Sequence, residues 1–140
     1  MNEYSYNKNT FQVLGINYNN INKEEALKIC IKLLTLDEKK NIFFLNADYL
    51  YKAQKDNEYT QILKQNTDLL LGDGIGLKLI TKYLGGSMKD NCNGTDFLSL
   101  LLKDIQYLNP KIFFLGGQIG IAEKAEAKES IRPDCCAVPR

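Results

Sequence analysis

Residues 68–86 read DLLLGDGIGLKLITKYLGG, and this stretch decides the fold class. It opens with a compact apolar run, which is typical of a strand buried on both faces of a parallel sheet. A glycine-rich turn follows at 72–76, and apolar residues then recur at helical spacing up to the pair Gly85-Gly86, which can end a helix. The stretch therefore predicts a strand, a tight turn and a helix in succession.

The rest of the chain repeats this alternation of strands and helices. We expect further strands at 11–16 (FQVLGI), 42–46 (IFFLN) and 111–117 (KIFFLGG). We expect helices at 23–36, at 47–65 with a break near residues 56–57, from Thr95 or Asp96 to Leu102, and at 119–128. The sequence therefore predicts an α/β fold, Rossmann-like, with a mostly parallel sheet and helices on both faces.

Composition changes near the end of the chain. Arg132 and Arg140 are the only arginines against sixteen lysines, and SIRPDCCAVPR (130–140) also holds two of the three prolines and two of the four cysteines. We expect a flexible segment at 1–10, one domain at 11–130, and a disordered tail at 131–140. The tail is either non-native, through a frameshift, an early stop or a gene-call error, or an unusual native end, and sequencing the locus decides between them.

The net charge and the distribution of apolar residues argue against several classes of function. A formal net charge of +1 gives no global field for a nucleic-acid partner. No apolar run approaches the roughly 20 residues of a membrane span, and the polar N-terminus is unlike a signal peptide. We therefore expect a cytoplasmic location, with peripheral contact at the inner face of the membrane left open.

Histidine is absent, which excludes Ser-His-Asp and Cys-His catalysis and histidine-based metal sites within this chain. We therefore expect a general base near neutral pH to be a carboxylate. The four cysteines form no CxxC pair, and the position of Cys30 on an apolar helix face predicts a buried small side chain rather than a ligand.

Three predicted strand ends carry polar or glycine-rich sequence: LNAD (45–48), GDGIG (72–76) and GGQIG (116–120). Ligands of open α/β sheets bind beyond the carboxyl ends of the strands, so we expect these segments to share one pocket. Spacing alone leaves two roles open for Asp73, a carboxylate facing a substrate hydroxyl or a cap of the next helix. GGQIG is likewise either a phosphate-binding turn or a tight structural turn, and Leu115 breaks the dinucleotide fingerprint.

Two further segments have the same double interpretation. Asn46 can bond a sugar or a base, whereas Asp48 is expected to cap the following helix. Asp96 in the segment NGTD (93–96) either contacts a sugar or caps its own helix. Lys78, Lys82 and Lys89 are interpreted as a solvated face.

Taken together and in order, these segments resemble the WecG/TagA/CpsF glycosyltransferase family. The similarity runs through FQVLGI, LNADYLYKAQKDNEYTQIL, DLLLGDGIGLKLITKYLGG, NGTDFLSLLL and KIFFLGGQIGIAEKA. The resemblance implies an inverting transfer of N-acetylmannosamine, or a related sugar, from a UDP donor to an undecaprenyl-diphosphate-linked N-acetylglucosamine. It implies no metal or other cofactor, and places the reaction in teichoic acid, common-antigen or capsule synthesis.

The resemblance also assigns roles to particular residues. It implies that Asp73 is the general base, in a D-G-x-G motif that includes Gly74 and Gly76. It implies substrate contact for Asn46 at the strand end, for Gly74 and Gly76, and for the G-x-D element. The G-x-D element consists of Gly94 and Asp96. The glycine turn to which the resemblance assigns contact with UDP consists of Gly116, Gly117 and Gly120.

Two residues and the chain length depart from the family pattern. Phe44 stands where the family often has threonine, and Asn91 stands where an arginine is common. Family members also continue past the GGxxG helix with segments that complete the nucleotide site and contact the membrane. We therefore expect a domain incomplete at its C-terminus, with an exposed sheet edge or apolar face that causes self-association or poor stability. We also expect little turnover by the 140 residues alone. The alternative is a non-catalytic or vestigial nucleotide-sugar-binding domain, and a nicotinamide-dependent oxidoreductase is disfavoured.

Overall fold

A computed structural model describes residues 9–115, 118, 120, 121, 124 and 136–138 of the chain. The chain divides into two compact units, one up to Phe97 and one from Leu98 onward. The first unit contains the sheet and the predicted base, and the second contains the predicted glycine turn at 116–120. Each unit is described by itself.

The first unit is built on a four-stranded sheet. Its strands are β1 (Thr10–Val13), β2 (Ile16–Asn19), β3 (Ile42–Leu45) and β4 (Leu69–Gly72). Their spatial order is β1-β2-β4-β3, in which β2, β4 and β3 run parallel and β1 is antiparallel to β2. The prediction of an α/β fold with a mostly parallel sheet is therefore confirmed.

Five α-helices occur in the described residues. They are α1 (Lys23–Leu34), α2 (Ala47–Lys55), α3 (Asn57–Gln65), α4 (Gly74–Tyr83) and α5 (Gly94–Asp104). The capping box predicted for α1 is present, because the Asn22 side chain accepts from the Glu25 N–H and the Glu25 carboxylate accepts from the Asn22 N–H. The predicted break at residues 56–57 is also present, and Asp56 caps α3 through the Tyr59 N–H.

Residues 11–16 were predicted to be one strand, but they form most of β1, a two-residue turn and the first residue of β2. β1 and β2 therefore make a hairpin. Leu14 and Gly15 both have positive φ, 46° and 80°, and they reverse the chain between β1 and β2. Two successive residues with positive φ are the signature of a type I′ turn, whose twist matches the flanking strands. The sequence does not predict this turn, because leucine stands at its first position and the run FQVLGI shows no turn residue before Gly15.

The core of the first unit lies between the sheet and its helices. Its buried members are Val13, Ile16, Tyr18, Leu45, Leu50, Ala53, Leu63, Leu70, Leu77 and Met88. Two polar side chains in this core have hydrogen-bond partners. The Tyr18 hydroxyl lies 3.1 Å from the Thr81 Oγ1, and the Asn19 Oδ1 accepts from the Leu70 N–H at 2.9 Å. These bonds tie β2 to α4 and β4 without leaving a buried hydroxyl unpaired.

Two cysteines are free and fully buried, as predicted for Cys30. Burial, and secondarily the neighbouring Cys92, raises the pKa of Cys30 to about 12. Burial, followed by the charge of Asp90, raises the pKa of Cys92 to about 11. Both thiols are therefore neutral and unreactive at neutral pH.

The second unit contains the end of α5, a 3-10 turn at Gln106–Leu108, and a strand pair. β5 (Phe113–Leu115) pairs in parallel with β6 (Cys136–Val138), which falls in the stretch predicted to be a tail. The helix predicted at 119–128 lies mostly outside the described residues, although the Lys124 N–H donates to the Gly120 carbonyl as in a helix. The predicted boundaries at residues 10 and 130 stay predictions. Within the described part of the chain, no helix is long and apolar enough to cross a bilayer.

Candidate active site

Two of the predicted site segments leave neighbouring strands at the same edge of the sheet. β3 and β4 are parallel and paired so that Leu45 lies opposite Gly72. Asn46 and Asp73 are the next residues along each strand, and the Asp73 N–H donates to the Leu45 carbonyl at 2.8 Å. The expectation that LNAD and GDGIG converge at the carboxyl edge is therefore confirmed.

Asp73 occupies the N-cap position of α4, but its side chain makes no capping hydrogen bond. Its backbone is extended, with φ −125° and ψ 133°, and the residue is half-buried. An aspartate at this position normally accepts an N–H of the first helical turn. The structure therefore does not support the interpretation of Asp73 as a simple cap, and its carboxylate is not engaged by its own helix.

The first N–H of α4 is bonded by Asn91 instead. The Asn91 Oδ1 accepts from the Gly74 N–H at 2.7 Å, across 17 residues of sequence. Sequence reasoning treated Asn91 only as the loss of an arginine and missed this role, because a cap supplied from a distant loop has no local spacing. Asn91 thus satisfies the first backbone donor of α4, which an N-cap side chain does not normally reach, since it accepts from the second or third helical N–H.

The loop that carries Asn91 is held at several points. The Cys92 N–H donates to the Gly72 carbonyl at 2.9 Å, beside the end of β4. The Asn20 side chain donates to the Ser87 carbonyl and accepts from the Lys89 N–H, both at 2.8 Å. Asp90 accepts from the Lys23 N–H at the start of α1. These bonds fix the loop against the sheet and thereby fix the position of Asn91.

The glycines of GDGIG serve different purposes. Gly74 has φ +86°, which a residue with a side chain resists. Apart from its chain neighbours and the backbone of its own helix, no atom of the described residues lies within 4 Å of the place where its Cβ would be. A Cβ on Gly76 would lie 2.8 Å from the Ala47 Cβ, so this glycine allows α4 to pack closely on α2. Gly74 therefore leaves open space beside Asp73, whereas Gly76 has a packing role that is sufficient to explain it.

Asn46 caps α2, because its Oδ1 accepts from the Tyr49 N–H at 2.9 Å. The expectation that Asp48 supplies this cap is wrong. Asp48 lies in the first turn and forms an ion pair with Lys52 at 2.8 Å, which suits a carboxylate near a helix N-terminus. Among the described residues no hydrogen bond from the amide NH₂ of Asn46 occurs, so that donor is available to a ligand.

The G-x-D element begins α5. Asn93, rather than Thr95 or Asp96, provides the cap, since its Oδ1 accepts from the N–H groups of both at 3.1 and 3.4 Å. The Asp96 residue is exposed in the first turn. Its carboxylate therefore faces solvent rather than serving as the cap of its helix.

A pair of aromatic rings supports this corner of the first unit. Phe44 on β3 contacts the buried Phe97 edge-on, with ring centroids 5.7 Å apart. A Cβ on Gly94 would lie 3.4 Å from the Phe44 ring, an ordinary contact. Phe44, which the sequence marked as a departure from the family pattern, thus contributes packing where a hydroxyl is common.

The structure does not test whether the third predicted segment joins the other two. Gly116 and Gly117 lie outside the described residues, and Gly120 belongs to the second unit, with φ +85° and no neighbour near its Cβ position. Their contact with UDP stays a prediction.

A surface cavity of about 480 Å³ lies at the other end of β4. It is lined by polar side chains that include Gln12, Asn17, Lys64 and Asp68, and by none of the predicted site residues. Because ligands of parallel sheets bind at the carboxyl ends, the edge carrying Asp73 is the stronger candidate. In the described residues, no three side chains of metal-ligating type cluster together.

Comparison with known proteins agrees with this geometry. The family model for the glycosyl transferase WecG/TagA/CpsF family matches residues 11–135, nearly the whole chain. An N-acetylglucosaminyldiphosphoundecaprenol N-acetyl-beta-D-mannosaminyltransferase of Bacillus spizizenii strain W23 is 27% identical over 101 residues, which are 71% of this chain and 38% of that relative. The chain therefore spans little more than a third of the relative's length. The chain has an aspartate at a strand end, a glycine-rich turn and the matching segments in the family's order. It belongs to the WecG/TagA/CpsF family of glycosyl transferases.

Proposed function

We propose that this chain carries the base site of an inverting glycosyltransferase that uses a UDP-sugar donor and an undecaprenyl-diphosphate-linked acceptor. N-acetylmannosamine, or a related sugar, is the group transferred, and N-acetylglucosamine is the acceptor sugar. Family membership and the name of the Bacillus relative support this choice of substrates. The activity of the whole relative is part of the proposal, because the chain spans 38% of it.

One observation supports Asp73 as the base. Its carboxylate lies at the carboxyl edge of β4, beside the open space at Gly74, and makes no capping bond to α4. In the proposed step the acceptor hydroxyl oxygen forms a bond to the anomeric carbon of the donor. The bond from that carbon to the UDP oxygen breaks, UDP leaves with the electron pair, and Asp73 takes the hydroxyl proton. A single displacement of this kind inverts the anomeric centre.

Asn46 and the G-x-D element complete the proposed sugar site. The free amide NH₂ of Asn46 lies at the same sheet edge as Asp73 and can donate to a sugar or uracil oxygen. The exposed Asp96 can accept from a sugar hydroxyl. Gly116, Gly117 and Gly120 are proposed to contact the diphosphate of UDP.

Transfer is tested with radiolabelled UDP-N-acetylmannosamine and the lipid-linked acceptor, comparing the parent chain with Asp73→Asn. Turnover that Asp73→Asn abolishes supports the proposal. UDP binding by calorimetry without turnover in the parent favours the second candidate, a non-catalytic nucleotide-sugar-binding domain. Absence of both binding and turnover contradicts both candidates.

A further inference from the structure

Helix α4, which starts immediately after Asp73, has an unusually apolar exposed side. Ile75, Leu79 and Tyr83 are 68%, 59% and 90% exposed. Lys78 and Lys82 are exposed beside them. We call these five residues the α4 outer face.

The α4 outer face is one continuous surface. At 3.6 residues per turn its five members fall within an arc of roughly 140° around the helix. Leu77, Ile80 and Thr81 point the opposite way, where Leu77 and Thr81 are fully buried and Ile80 packs on the core. Within the outer face the two lysines lie along one side and the three apolar side chains along the other. This division is typical of a helix that lies at an interface between water and lipid.

The charge on α4 has a single sign. The helix GIGLKLITKY contains no aspartate or glutamate. In the part of the chain that the structure describes, neither Lys78 nor Lys82 forms an ion pair, whereas Lys40, Lys52 and Lys89 each do. An uncompensated pair of ammonium groups beside exposed apolar side chains complements an anionic surface that also has an apolar interior.

We propose that the α4 outer face rests on the surface of an anionic lipid bilayer. Lys78 and Lys82 contact the phosphate headgroups, and Ile75 and Leu79 enter the boundary of the acyl region, with Tyr83 at the headgroup level. This surface differs from the later segments to which the family resemblance assigns membrane contact.

The position of the α4 outer face gives it a consequence for catalysis, which rests on the proposed function. Ile75 is only two residues beyond Asp73, so a bilayer under α4 lies close to the carboxylate. An acceptor sugar attached to a bilayer lipid through a diphosphate would then be presented at the site without leaving the membrane.

The test is co-sedimentation of the 140-residue chain with vesicles. The vesicles contain 30% phosphatidylglycerol in phosphatidylcholine or phosphatidylcholine alone, in low salt and in 0.5 M NaCl. We expect binding to the anionic vesicles that weakens in high salt, where charges separated by more than about 3 to 5 Å are screened. Lys78→Gln/Lys82→Gln is expected to lower the partition coefficient about 25-fold, at about fivefold per lysine. Ile75→Ser/Leu79→Ser is expected to lower it at least about tenfold.

Matched controls separate this surface from the overall charge. Lys28→Gln/Lys55→Gln removes the same charge from exposed positions on α1 and α2, and is expected to leave binding within threefold of the parent. Circular dichroism checks that every variant folds, and Leu79→Ser alone replaces any double variant that does not. Equal losses in the control, or no binding of the parent to anionic vesicles, would overturn the proposal. So would self-association in sedimentation velocity that Leu79→Ser abolishes, accompanied by no vesicle binding, since a second copy of the chain would then occupy the face.

Failure of this proposal can be told apart from failure of the proposed function. Asp73→Asn is expected to bind vesicles like the parent, because Asp73 is not part of the α4 outer face. Vesicle binding without sugar transfer would count against the proposed function alone. Transfer to a water-soluble acceptor without vesicle binding would count against the docking surface alone.

Discussion

At the residue scale, Asn91 controls how the N-terminus of α4 is capped. Its Oδ1 accepts the Gly74 N–H at 2.7 Å while the adjacent Asp73 side chain makes no cap bond. An N-cap side chain normally accepts the second or third N–H of its helix, so Asn91 and Asp73 do not compete for the same donor. The Asp73 carboxylate makes no bond to those N–H groups either, and a general base needs a carboxylate that is left for other partners.

Asn91→Ala is expected to lower the free energy of unfolding by about 1 kcal/mol, because the Gly74 N–H loses its acceptor. Asn91→Asp retains an oxygen in the same place and is expected to recover most of the loss. Urea denaturation measures both. Asn57→Ala is the control, since Asn57 is exposed at the start of α3 and no side-chain hydrogen bond of it occurs in the described residues. An Asn91→Ala variant as stable as this control would contradict the capping role.

Leu14 carries a strained backbone in the turn between β1 and β2. Its φ of 46° is costly for a leucine, and its side chain is 53% exposed, so little packing compensates. Leu14→Asn creates the Asn-Gly pair that type I′ turns favour, and is expected to raise stability by about 1 kcal/mol. Thermal unfolding checks this, with Leu34→Asn as an exposed leucine outside such a turn. A lower melting temperature for Leu14→Asn would show that the side chain matters more than the strain.

How far the sequence predicts single residues depends on distance along the chain. The Asn22 cap was predictable because its partner is three residues away, and the packing of Cys30 followed from helical periodicity. The cap by Asn91 was not, because it crosses 17 residues. Asn93 was missed although a local pattern exists, since an asparagine directly before the first helical glycine is a common cap.

At the element scale, α2 and α4 approach closely beside the candidate site. The Ala47 Cβ lies 2.8 Å from the place where a Cβ on Gly76 would be. This contact joins the first turns of the two helices that follow Asn46 and Asp73. The relative position of Asn46 and Asp73 therefore depends on the packing of Gly76 against Ala47.

Gly76→Ala is expected to cost about 1–3 kcal/mol by overpacking, against a gain of about 1 kcal/mol from helix propensity. Ala47→Gly in the same chain removes the opposing Cβ and is expected to restore part of the loss. A double-mutant cycle of unfolding free energies measures the coupling, expected at about 0.5–3 kcal/mol. Additive effects would show that the two helices can separate freely at this point.

Strand and helix order was largely predictable, since the period of the apolar residues and the positions of the glycines define each element. The hairpin was the main error, because Leu14 is not a turn residue. The pairing of β5 with β6, rather than a fifth strand in the first sheet, has no counterpart in local sequence. Pairing partners far apart along the chain depend on tertiary packing.

At the scale of the whole molecule, two buried thiols make the free energy of unfolding decrease as the pH becomes alkaline. The folded-state pKa of Cys30, about 12, lies above the value of 9.0 for an exposed thiol, so between these values the folded state holds a proton that the unfolded state has lost. The contribution of the buried neutral thiol to the free energy of unfolding is complete below pH 9 and is lost as the pH rises towards 12. The stability advantage of the parent over Cys30→Ala should therefore narrow between pH 8 and about 10.5.

Urea denaturation with a reductant present measures that narrowing. Ile31→Ala, on the same helix and without a titratable group, is the control, and its difference from the parent is expected to stay constant with pH. A constant difference for Cys30→Ala as well would contradict the burial of a neutral thiol.

Asp73 as the base is the central claim, and it is tested most directly by sugar transfer from UDP-N-acetylmannosamine to the lipid-linked acceptor. Asp73→Asn is expected to lower the rate on the order of 100- to 10,000-fold while leaving UDP binding within about threefold. Asp37→Asn, an exposed aspartate in the turn after α1, is expected to behave like the parent. An Asp73→Asn variant that transfers sugar at the parental rate would contradict the account.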